Sequence, residues 1–88
     1  MKLIIAIIRD IDKDPVSNSL IEAGFRVTQV SSTGGFLRRG SSTLMIGVDD
    51  DKVDEALGIV RAHLDPVTGS ESKKATLFVL NVEHYTQI

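Results

Sequence analysis

An α+β fold, with a four-stranded antiparallel sheet and both helices on one of its faces, follows from two halves of this 88-residue chain that each read strand, helix, strand. Apolar residues run or alternate as in strands over four stretches and recur at helical spacing over two, giving the order βαββαβ. Each helical stretch also closes on a stop signal, Gly24 in the first half and Asp65-Pro66 in the second. With right-handed crossovers this is the ferredoxin-like arrangement, expected as a single domain over residues 1–88.

The elements follow in order. Leu3-Ile4-Ile5-Ala6-Ile7-Ile8 is a continuous apolar run, as in a strand covered on both faces. It is far too short to span a bilayer, and Arg9-Asp10 follows it with no small-residue cleavage site, so neither a membrane segment nor a signal peptide is read there. Asp10 to Asp14 reads as a turn, with Asp14 capping a helix that opens at Pro15. Val16, Leu20 and Ala23 form its apolar stripe, Ile21 widens it, and Gly24 supplies a left-handed stop. Phe25 to Val30 alternates apolar and polar, as a strand with one exposed face does. A loop through Ser41 precedes a third strand over Thr43 to Val48. Asp49-Asp50-Asp51 places carboxylates at the positive end of the second helix, whose stripe is Val53, Ala56, Leu57, Val60 and Leu64. A polar loop over Val67 to Lys74 leads to a last strand, Ala75 to Val82. Phe25 and Phe78 are assigned to the core.

Composition narrows the function. With 42% apolar and 25% charged residues the chain is of ordinary globular make-up. A net charge of −2 and a pI near 5.5 lack the basic footprint of a nucleic-acid polymer binder. Central-strand aromatics of the RNA-binding kind are missing too, since the third strand offers Leu44, Met45 and Ile46. The absence of cysteine excludes disulfides, thiolate metal sites and a thiol nucleophile, and the cytoplasm is the expected compartment. The helices cover one sheet face only. Apolar residues of the first and last strands remain on the other, and a symmetric copy of the chain is expected to cover them.

The stretch Thr33-Gly34-Gly35-Phe36-Leu37-Arg38-Arg39 carries the most chemistry. Adjacent glycines can aim successive N–H groups at one anion, Thr33 adds a hydroxyl, and the arginines suit phosphate. Phe36 and Leu37 offer apolar surface to a flat ligand. The alternative is a plain strand connection with two solvated arginines, because the spacing is not a P-loop or dinucleotide fingerprint. Arg26 and Thr28 share a face of the second strand and would extend the anion site onto rigid structure, or would simply be an exposed strand face. Asp10, Asp12 and Asp14 have the opening spacing of a calcium loop, but Pro15 and Ile21 stand where Gly and Glu are required. His63 and His84 form no metal pair, and no catalytic constellation is apparent; no enzyme and no cofactor are expected.

Phe25-Arg26-Val27-Thr28, Thr33-Gly34-Gly35-Phe36-Leu37, Ile46-Gly47-Val48-Asp49-Asp50 and Phe78-Val79-Leu80-Asn81-Val82-Glu83, in this order, resemble the PII-like cyclic-di-AMP receptors. The resemblance implies a homotrimer with one cyclic dinucleotide in each cleft between subunits, ordering loops that signal to a protein target not named by the sequence. Carried over by position, it implies ligand contacts from Arg26, Val27 and Thr28, from Gly35, Phe36 and Leu37, and from Gly47, with Thr33, Gly34, Arg38, Arg39, Ser41 and His84 as further candidates. Family members commonly carry Asn where Gly24 and Ser41 stand and Gln where His84 stands, so weaker adenine selection is expected. The connection Val67 to Lys74 is also shorter than is usual for the family. The same fold also accommodates a trimer that binds ATP or another adenine nucleotide, one that binds a divalent metal, and a structural trimer that binds no nucleotide.

Overall fold

The structure is a computed structural model and describes residues 1–30, 41–64, 75–83 and 86. Its elements are β1 (Lys2–Arg9), α1 (Asp10–Glu22), β2 (Arg26–Val30), β3 (Ser41–Val48), a 3-10 turn (Asp50–Lys52), α2 (Val53–Ala62) and β4 (Ala75–Asn81). The sheet has the order β2-β3-β1-β4 with every neighbour antiparallel, which is the ferredoxin-like topology expected. The most apolar strand takes a central place: β1 pairs with β3 from Lys2↔Val48 to Arg9↔Ser41 and with β4 from Lys2↔Asn81 to Ile8↔Ala75.

Alternation then sorts the side chains. Ile4, Ala6 and Ile8 of β1 and Leu44, Ile46 and Val48 of β3 meet Val16 and Leu20 of α1 and Ala56 and Val60 of α2, none more than 4% exposed. Full burial of each larger aliphatic side chain contributes roughly 1.5–3 kcal/mol. Leu3, Ile5 and Ile7 point to the opposite, open face, level with Leu80, Phe78 and Thr76 of β4. Within one chain the apolar run of β1 is therefore covered on one face only. Phe78, expected in the core, stands 49% exposed on this open face, with Leu80 at 47%. Thr43 lies on the same face, and its buried Oγ1 has no hydrogen-bond partner among the described residues.

Several boundaries differ from expectation: β2 opens at Arg26 rather than Phe25, and α2 follows a 3-10 turn and ends at Ala62, short of the Asp65-Pro66 stop. Helix α1 opens at Asp10 rather than at Pro15, which lies inside it. Asp10 and Asp12 place carboxylates in its first turn, favourable at the positive helix end. Asp12 is 1% exposed and accepts a hydrogen bond from Arg9 Nε at 2.9 Å, while the Ser42 hydroxyl donates to Asp10. These contacts hold the first turn despite the N–H that Pro15 lacks. Strand β3 begins at Ser41, two residues before the expected Thr43, and β4 ends one residue early at Asn81. Ile21, assigned to the apolar stripe of α1, is 55% exposed; Val16 and Leu20 alone carry that stripe inward.

Gly24 ends α1 as expected, with φ +93°. The Phe25 N–H donates to the Leu20 carbonyl and the Gly24 N–H to the Ile21 carbonyl, both at 3.0 Å, which is a Schellman closure. Phe25 packs against the core cluster that holds Leu20. This tight turn delivers the chain into β2 within three residues and sets where Arg26 stands.

Candidate functional site

At the edge of the sheet where β1 and β2 begin and β3 ends, a cleft of about 760 Å³ opens. Its floor is the open sheet face: Leu3 of β1, Met45 and Gly47 of β3, Arg26 and Thr28 of β2. The register puts Arg26 and Leu3 on either side of Gly47, and Thr28 beside Met45, so these side chains share one face. The α1–β2 turn, Ala23 to Phe25, forms one wall, and Asp49, Lys52 and Glu55 form another. Met1, Val48 and Val82 complete the lining.

Glycine at position 47 keeps the middle of the floor low. A Cβ there would lie 3.0 Å from Met1 Cε, tight even though a methionine end can shift. Met1 is itself tethered: its amine pairs with Asp50 Oδ1 at 2.9 Å, and its carbonyl accepts from the Val82 N–H at 3.0 Å. The hydrogen bond and charge of that ammonium hold the Asp50 carboxyl below its ordinary value of 3.8. Lys2 donates to the Asn81 side-chain carbonyl nearby. The floor thus combines a guanidinium, a hydroxyl and apolar surface, which suits a ligand with an anionic group and a flat apolar body.

Of the residues singled out in the sequence, Arg26, Thr28 and Gly47 come together here. Val27 faces the other way, packed against the core, so any ligand contact from it would come from its backbone. Ser41 opens β3 at the far end from Gly47, six strand residues and therefore roughly 20 Å away. Thr33, Gly34, Gly35, Phe36, Leu37, Arg38, Arg39 and His84 lie outside the described residues. Of the wall residues, Lys52 and Glu55 were not singled out, and Asp49 stood only as a helix-end carboxylate and in the Ile46 to Asp50 stretch of the family resemblance. Only the register and the course of the 3-10 turn bring them to the cleft.

The family described as cyclic-di-AMP receptor matches residues 1–66, three-quarters of the chain, including every strand of the cleft floor. The chain belongs to the cyclic-di-AMP receptor family. A crystal structure of a functionally unknown protein from Pediococcus pentosaceus ATCC 25745 resembles this receptor at 34% sequence identity with a TM-score of 0.77, covering 99% of this chain and 96% of that one. That likeness extends the fold past residue 66 to β4, beyond the family match. Coverage this complete in both directions means two chains of nearly equal length.

Proposed function

We propose that this receptor binds cyclic-di-AMP as a homotrimer, with the ligand in clefts between subunits, and that binding orders loops that act on a protein target. The observation that carries the reading is the convergence of Arg26, Thr28 and Gly47 on one cleft floor in a member of this family. Arg26 donates to a phosphate, Thr28 adds a hydroxyl, and the low surface at Gly47 and Leu3 admits a purine face. Backbone donors and apolar contacts from Gly35, Phe36 and Leu37 complete the contacts, with Thr33, Gly34, Arg38, Arg39 and His84 as further contributors. The distance from the cleft to Ser41 favours a site between chains: a second copy is the simplest way to bring the far end of β3 to a ligand resting on Arg26. Chemistry on the ligand is not part of this reading; the protein is a receptor of the cytoplasm rather than an enzyme. Among the described residues no helix is long and apolar enough to cross a membrane.

Calorimetric titration with cyclic-di-AMP, ATP and divalent cations tests the proposal. Saturable binding of the cyclic dinucleotide, at up to one ligand per chain, is the expected result. Saturation by ATP or a cation alone would replace it with the corresponding sensor, and no heat from any of them would leave a structural trimer.

A further inference from the structure

Lys52 and Glu55 line the cleft, and the reading above gives them no part. Their charged ends lie 3.7 Å apart, and both side chains are about half exposed. The opposite rim is bare: Gly24 carries no side chain, and a Cβ built there would meet nothing within 4 Å. Among the described lining residues, the polar side chains are Arg26 and Thr28 on the floor and Asp49, Lys52 and Glu55 on the wall. No amide is among them.

The hydrogen-bonding edges of purines discriminate between such sets. Adenine presents an amino donor beside a ring-nitrogen acceptor, and its complement is an amide, which both donates and accepts. Guanine presents a carbonyl acceptor beside two N–H donors. Its complement is a group that only donates next to one that only accepts, which is what an ammonium beside an ionised carboxylate provides. A carboxylate set against the adenine ring nitrogen would oppose two acceptors and leave both unsatisfied.

We propose that the Lys52–Glu55 pair reads guanine, so that the cleft takes a guanine-containing cyclic dinucleotide alongside cyclic-di-AMP. This rests on the cleft being the cyclic-dinucleotide site. The test is titration of the full chain with cyclic-di-AMP, cyclic-di-GMP and the mixed adenine–guanine cyclic dinucleotide. The mixed ligand is expected to bind within about tenfold of cyclic-di-AMP. Glu55→Gln exchanges an acceptor for an amide at a half-exposed position and is expected to shift the adenine-to-guanine preference toward adenine by about tenfold. Exclusion of both guanine ligands by more than about a hundredfold, or an unchanged preference in Glu55→Gln, overturns the proposal while cyclic-di-AMP binding keeps the cleft assignment standing. Failure of all three ligands to bind removes both together.

Discussion

Arg26 stands on a strand whose register with β3 is fixed over five residue pairs, so its guanidinium meets an anion with little ordering left to do. A charge-assisted hydrogen bond is typically worth about 1.5–3 kcal/mol, so Arg26→Ala is expected to weaken cyclic-di-AMP binding about ten- to a hundredfold, read by calorimetry. The side chain is exposed, and the melting temperature of that variant is expected to stay at the wild-type value. Unchanged affinity would place the ligand away from this cleft. Thr43 shows the opposite balance, a buried hydroxyl with no partner among the described residues. Thr43→Val keeps the shape and removes the unsatisfied group, so it is expected to stabilise the protein by about 1 kcal/mol in denaturant unfolding. A loss of stability would mean that the hydroxyl is bonded in solution.

Helix α1 sets a local signal against a tertiary one. The Asp14-Pro15 step marks a helix start to any sequence reader. The chain instead winds from Asp10 because Asp12 is buried against Arg9 and Asp10 is met by Ser42, a residue 32 positions away. Pro15 thus withholds an N–H from the Ile11 carbonyl inside the helix. Pro15→Ala would restore that bond at the expense of a freer unfolded chain, for an expected net gain of about 1–2 kcal/mol by thermal unfolding. No gain would indicate that the helix already accommodates the ring without loss. The other end of α1 is set locally. Gly24 has φ +93° and open space around its missing Cβ, so the obstacle to a side chain is backbone conformation and not crowding. Gly24→Ala is expected to cost about 1–2 kcal/mol of stability, and Gly24→Asn less, since Asn visits the left-handed region more readily. If an amide on this rim selects adenine, Gly24→Asn will also tighten cyclic-di-AMP binding. Equal melting temperatures for the two variants would refute the backbone account.

For the whole molecule the open sheet face decides most. Leu3, Ile5, Ile7, Met45, Phe78 and Leu80 share it, and Phe78 and Leu80 are each about half exposed in a single chain. Apolar surface of this kind on a small domain calls for a partner, and a closed symmetric assembly supplies one without leaving an open end. Sedimentation at micromolar concentration is expected to show a trimer. Phe78→Asp, a charge placed on that face, is expected to shift it toward monomer while the circular dichroism is kept. A monomeric wild-type protein would remove the subunit cleft from the functional reading.

The order of elements, the Gly24 stop, the α2 stripe and the shared face of Arg26 and Thr28 were all legible in the residues. Each depends on a period of 2 or 3.6, or on one residue's backbone freedom, and these act within a few positions of the chain. The early start of α1, the exposure of Phe78, the separation of Ser41 from Gly47 and the arrival of Lys52 and Glu55 at the cleft were not. They follow from which strand lies beside which and in what register. An apolar run such as Leu3 to Ile8 is compatible with either face pointing inward, because every one of its residues suits a core. Only the pairing of β1 with β3 and β4, and the helices laid on one side, settled that Ile4, Ala6 and Ile8 would be buried while Leu3 became part of the cleft floor.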